Sequence, residues 1–174
     1  RRKQLHEVQP NQGHYILAEL EKHFDVHIIT QNVDNLHEKA GSTKVLHLHG
    51  ELLKVRSTKD ENYILDWSDD LTTAHKDPNG NQMRPHIVWF GEDVPAIEEA
   101  IDLAEQADIF IVIGTSLQVY PAAGIMHYTK AETPVFYIDP KPASVVQLAN
   151  SLEIIPLSGS EGIMKLKDRL LLLK

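Results

Sequence analysis

Between Ile28 and Gly50 the chain gathers the side-chain types that chemistry at a sugar or an amide needs. Gln31, Asn32 and Asp34 sit in one polar turn, and His47 and His49 follow a short way downstream. An imidazole with an ordinary pKa near roughly 6.5 takes up a proton at cellular pH and gives it back, which makes His49 the natural general base of the set. The amides and the carboxylate suit the polar edges of a ribose or a carboxamide, although Asp34 or Asn35 could equally cap the helical turn that follows. His47 shares a face with His49 by the period of two along a strand. No third ligand with matching spacing accompanies the pair, so the residues favour acid–base work over metal binding.

Two buried strands must deliver these groups. Val26 to Thr30 is a β-branched run without alternation, as a strand covered on both faces should be, and Val45 to His49 is a second strand. Between them Leu36 to Ala40 reads as a helical turn stopped by Gly41. In open parallel α/β sheets ligands collect outside the carboxyl ends of the strands, which is where the turn and His49 fall. Upstream, Arg1 to His6 reads as the tail of a helix, and Tyr15, Leu17, Leu20 and Phe24 recur at helical spacing.

Downstream the alternation continues. Strands are expected at Ile87 to Phe90, Ala107 to Ile113, Val135 to Ile138 and Glu153 to Leu157, with helices at Ala96 to Gln106, Pro121 to Thr129, Ala143 to Leu148 and Glu161 to Leu172. That order argues an α/β fold with a doubly wound, Rossmann-like parallel sheet. Gly114-Thr115-Ser116 closes the most apolar strand, where small residues let a dinucleotide backbone approach. Residues 51–84 break the pattern. They are polar, lack a sustained period and hold a Pro78-Asn79-Gly80 turn signal, which reads as a small inserted subdomain within a domain covering residues 1–174.

The totals exclude several classes. At 174 residues with 42% hydrophobic and 24% charged side chains, the chain can bury one ordinary core. A net charge of -8 gives no footprint for nucleic acid. There is no cysteine, so neither a disulfide nor a thiolate metal site can form. No apolar run reaches the roughly 20 residues a spanning helix needs, and a cytoplasmic protein with no membrane or nucleic-acid partner is expected.

Read together, Thr30-Gln31-Asn32-Val33-Asp34-Asn35-Leu36-His37, Ala40-Gly41-Ser42 and Leu48-His49-Gly50 resemble the motifs of the sirtuin family. Arg84 to Glu92 and Gly114 to Gly124 resemble two more blocks in the same order. The resemblance implies an NAD-dependent protein-lysine deacylase that releases nicotinamide and O-acyl-ADP-ribose. ADP-ribosyl transfer from the same site and a non-catalytic nucleotide-binding module are the alternatives. It implies His49 as catalytic base, Asn32 and Asp34 in the nicotinamide pocket, and Gln31 on the ribose. Gly114, Thr115, Ser116 and Asp139 would lie along the adenosine side, with Gly159 near the adenine. Val88, Trp89, Phe90, Gly91 and Glu92 would hold an acyl-lysine protein or peptide as an added strand.

The block Arg84 to Glu92 is worded like the desuccinylase and demalonylase subgroup, and there Arg1 would bind the acyl carboxylate, a strong bidentate match. Relatives place a four-cysteine zinc ribbon in the inserted segment. The corresponding positions here are Ser57, Asp60, Asp77 and Gly80, which are not a zinc set, so no zinc is expected. The family's Gly-rich GAG-x-S loop does not occur before Gln31, and the chain opens without Met inside an amphipathic segment. An N-terminal strand and phosphate loop are therefore expected to lie outside these residues.

Overall fold

A computed structural model describes residues 1–172. The chain opens with α1 (Arg2–Glu7) and, after Pro10, α2 (Gln12–Leu20). Asn11 starts α2 by accepting from the Gly13 and His14 amides at 2.8 and 3.3 Å, while His14 Nδ1 accepts from the Asn11 amide in return. Then come β1 (Ile28–Thr30), α3 (Leu36–Ala40) and β2 (Val45–His47). Gly41, at φ 104°, ends α3 in the left-handed conformation that glycine adopts freely. β1 and β2 pair in parallel, Thr30 opposite His47.

A second parallel sheet has the order β6-β7-β8, formed by β6 (Phe110–Ile113), β7 (Val135–Ile138) and β8 (Leu152–Ile155). One face of it packs on α2 and α5 (Gly159–Leu171): Phe136, Ile138 and Ile155 meet Ile16, Leu20, Ile163, Leu166 and Leu170. α4 (Ile97–Gln106) and a 3-10 helix (Ala122–Tyr128) enclose a second core around Leu48, Ala100, Ala104 and Ile125, which Ile29 and Leu46 of the first sheet and Phe110 of the second both join. The two parallel sheets thus share one set of covering helices although β1 and β6 are not hydrogen-bonded to each other. This is the doubly wound α/β arrangement.

Residues 50–87 form an antiparallel sheet of order β4-β3-β5, made by β3 (Gly50–Ser57), β4 (Ile64–Asp66) and β5 (Met83–Ile87). β4 is exposed throughout, β3 and β5 are mostly half-buried, and the β3–β5 pairing is broken by a register shift between Glu51 and Val55, so no clean alternation is left to read. The strand expected at Ile87 to Phe90 is β5, and it runs through Pro85. Finally, Ala143 to Leu148 is not helical. Ala143 gives its N–H to the Tyr137 hydroxyl at 3.1 Å, and Gln147 takes a φ of 59°, which a right-handed helix does not allow.

Candidate functional site

The first half of the site is built on the carboxyl ends of β1 and β2. β2 ends at His47, and in the turn that follows Leu48, 1% exposed, is turned into the core with His47 and His49 on either side of it in the chain. His49 Nδ1 lies 3.0 Å from the backbone oxygen of Gln31. A carbonyl can only accept, so Nδ1 carries the proton and Nε2 of the neutral ring holds the free lone pair. That is the tautomer a general base needs. His47 differs: Nε2 meets Glu38 Oε1 at 2.7 Å and Nδ1 faces the Asn32 oxygen at 3.3 Å. Both nitrogens are committed, which removes it as a base, and no group of three or more candidate metal ligands is present among the described residues.

The turn after β1 is held by its own backbone. Thr30 Oγ1 accepts from the Asn32 amide at 3.1 Å, and Asp34 Oδ1 accepts from the Leu36 amide at 3.1 Å. One Asp34 oxygen therefore starts α3, as the local reading of this residue required. The side-chain amides of Gln31 and Asn32 make no hydrogen bond among the described residues, which leaves polar groups free for a ligand.

The second half stands at the carboxyl ends of β6 and β7. Gly114 follows Ile113 at φ 62° and donates to the Ile138 oxygen at 2.9 Å. Asp139 comes directly after Ile138, and its Oδ1 accepts from the Lys141 amide at 2.7 Å. Gly159 opens α5 so close that an added Cβ would stand 3.1 Å from Ile113 Cγ2. Ser158 caps that helix with Glu161 in a reciprocal box. Two strand ends and one helix N-terminus therefore meet, with backbone N–H groups and the positive end of the helix dipole suited to an anion or a ribose.

A backbone bond ties the segment after β5 to His49: the Val88 amide donates to the His49 oxygen at 2.9 Å. Beyond it Trp89 and Phe90 are 54% and 98% exposed, and Gly91 turns at φ 88°. Glu92 does not reach outward. Arg84 grips both its oxygens at 2.7 and 3.1 Å, and the Trp89 amide donates to it at 3.0 Å. The Arg84 guanidinium, with that amide, holds its carboxyl down to about 2. Glu92 thus shapes the segment that presents Trp89 and Phe90. Arg1 is exposed as the N-cap residue of α1, whereas Arg2 is buried and donates from Nε to the Leu52 oxygen at 2.7 Å.

The four positions expected in place of zinc ligands, Ser57, Asp60, Asp77 and Gly80, are hydrogen-bonded to one another around Ser57 and Asp77. Ser57 Oγ donates to Asp77 Oδ2 at 2.6 Å, and the Asn79 and Asn81 amides and the Asn81 side chain donate to the same carboxyl. Asp60 gives its amide to Ser57 Oγ and Gly80 gives its amide to the Asp77 oxygen. The Ser57 hydroxyl and the side-chain and backbone N–H groups of Asn81 lower the Asp77 carboxyl to about 2. Residues already satisfied by one another in this way do not fit zinc.

Arg2 and Tyr137 were not singled out by the sequence, and Arg84 only as the first residue of a motif block. Their signal would have been a charged or phenolic residue at a position otherwise expected to be apolar or solvated.

Fold and strand-end loops are those of a dinucleotide-binding α/β protein, with His49 beside the turn that follows β1. Against known families, residues 1–121 match the Sir2 family. Two NAD-dependent protein deacylases, from Bacteroides thetaiotaomicron and Helicobacter pylori, are each 51% identical over 98% of this chain and 75% and 74% of their own length. A Sir2 homologue in complex with NAD superposes with a TM-score of 0.83 at 34% identity, over 95% of this chain and 66% of its own. A Sir2 homologue mutant in complex with ADP-ribose gives 0.84 at 35%, over 98% and 72%. The chain belongs to the Sir2 family.

Proposed function

We propose that the protein is an NAD-dependent protein-lysine deacylase in which His49 is the general base. The observation that carries this is the bond from His49 Nδ1 to the Gln31 oxygen, which leaves Nε2 able to accept a proton beside the Gln31–Asp34 turn. The free amides of Gln31 and Asn32, the left-handed Gly114 and the N-terminus of α5 together fit NAD. When bound, NAD supplies the ribose carbon at which the acyl oxygen is captured and nicotinamide as leaving group. Asn32 and Asp34 would flank the carboxamide and Gln31 the ribose. Gly114, Thr115, Ser116 and Asp139 would line the adenosine side, with Gly159 beside the adenine.

The substrate is an acyl-lysine peptide laid along Val88 to Gly91. The named solved relatives include a Sir2 complex with a p53 peptide and NAD, which supports that class. Its main chain would pair with the segment that the Val88 amide ties to His49. Arg1 in the acyl tunnel, residues 51–84 as a separate subdomain and a cytoplasmic setting, where NAD and acylated proteins meet, complete the reading.

The test is His49→Ala in the protein as the cell makes it. Loss of a general base costs at least about 10²- to 10⁴-fold in single-turnover deacylation, with an unchanged melting temperature. A variant keeping more than half the rate would remove His49 from the role. Nicotinamide release without loss of the acyl group would point instead to ADP-ribosyl transfer.

A further inference from the structure

We propose that Tyr137 is a positioning residue whose hydroxyl latches the two loops of the nucleotide side to one another and thereby sets affinity for the ADP-ribose part of the cofactor. The inference rests on the reading of Gly114 to Ser116 and Asp139 as the adenosine side.

Tyr137 lies in β7 between Phe136 and Ile138, which face α2 and α5, so its ring goes to the opposite face. There it packs with Val112, Met126, Leu117, Val145, Leu148 and Leu152 and is 0% exposed. A buried phenol needs partners for its polar end. The Tyr137 hydroxyl donates to the Thr115 backbone oxygen at 2.8 Å and accepts from the Ala143 amide at 3.1 Å. Thr115 belongs to the loop after β6. Ala143 belongs to the loop after β7, four residues beyond Asp139. One hydroxyl therefore bridges the two segments that follow neighbouring strands, from below and out of solvent.

Both loops need such a restraint. Leu117 takes a φ of 53°, a conformation that a side chain with a Cβ holds only when its surroundings impose it, and its amide bonds to Thr115 Oγ1 at 3.2 Å. Gln147 takes a φ of 59° in the other loop. Neither loop is a helix or strand, so neither has a ladder to fix it. Removing the hydroxyl alone leaves a part-buried carbonyl and a part-buried N–H without their common partner. Water that takes its place must satisfy each group separately, which releases Thr115 and the Asp139 turn from one another.

The experiment is Tyr137→Phe, which keeps the ring and its packing, with ADP-ribose titrated calorimetrically into wild type and variant. Expected is a weakening of ADP-ribose binding by roughly 5- to 50-fold, the range for orphaning two part-buried polar groups. KM for acyl peptide should stay within about twofold, since the peptide segment lies on the His49 side and makes no contact with the latch. Equal ADP-ribose affinity in a folded variant overturns the latch. A wild type that does not bind ADP-ribose overturns the adenosine-side reading itself, and the latch with it. Hydrogen exchange on the wild type needs no variant: ADP-ribose should protect residues 115–121 and 139–148 together. Protection of one loop alone refutes the coupling.

Discussion

Gly50 follows His49 directly, and replacing it with Ala is the sharpest available test of how the site is built. Gly50 sits at φ 74°, and an added Cβ would lie 2.2 Å from the His86 oxygen, 3.0 Å from the His86 carbonyl carbon and 3.1 Å from Ile87 Cα. The neighbours it would strike are backbone atoms of β5, which cannot rotate aside as a side chain can. Two costs therefore add. Holding Ala in the left-handed region costs about 1–2 kcal/mol. Pushing β5 away far enough to restore van der Waals contact costs about 1–3 kcal/mol more, the range for forced overpacking.

At roughly 2–4 °C per kcal/mol for a chain of this size, the melting temperature should fall by about 4–20 °C. Catalysis should fall too, because β5 leads into Val88, whose amide is bonded to the His49 oxygen. A displacement of about 1 Å at a reacting group can cost on the order of 10²-fold. The assay pairs thermal unfolding with kcat for deacylation. Gly50→Asn separates the two costs, since Asn tolerates a positive φ but still carries the colliding Cβ. If Asn restores wild-type stability, the close approach of β5 is not the constraint, and wild-type behaviour of Gly50→Ala would refute the whole argument.

Three further outcomes are expected. Asp77 has its carboxyl lowered to about 2 in the fold, so its contribution to stability is complete above the ordinary carboxylate range and is lost as pH falls from about 4 toward 2. Asp77→Asn should lower the melting temperature at pH 7 and converge with wild type near pH 2; parallel curves across that window would exclude the carboxylate. Glu92→Gln, which weakens the grip of Arg84, should raise KM for acyl peptide several-fold more than KM for NAD, measured by matched steady-state titrations. Equal changes in both would make Glu92 a general stability residue. Arg1→Met should depress desuccinylation roughly 10- to 150-fold while leaving deacetylation nearly untouched, as loss of a charge-assisted bond implies. Equal losses on succinyl and acetyl peptides would leave Arg1 as a solvated charge.

Much of the fold could be read from periodicity. The runs around Ile28, Val112 and Tyr137 are strands because apolar and β-branched residues covered on both faces leave no alternation, and the helices at 97–106 and 159–171 carry one apolar face. The antiparallel sheet of residues 50–87 could not be read so. Its cohesion comes from long-range groups such as Arg2 on the Leu52 oxygen and Ser57 on Asp77, which have no local period. In the site, residue type was enough to mark His49, but not to tell its free nitrogen from the doubly engaged ring of His47. Each ring has its Nδ1 on a backbone oxygen, so the distinction depends on Glu38 Oε1, which takes up the second nitrogen of His47 through a contact between α3 and the end of β2 that no sequence period marks.

The carboxylate hub at Asp77 also changes what can damage the protein. Where thiolates grip a metal, peroxide oxidises the sulfur and releases the ion, and a chelator can do the same by competition. Here the equivalent positions are joined by a serine hydroxyl, amides and a carboxylate, none of them oxidisable under such conditions, in a chain with no cysteine anywhere. The fastening at Asp77 thus offers nothing to a mild oxidant or a chelator, and strong acid is the chemical insult that reaches it.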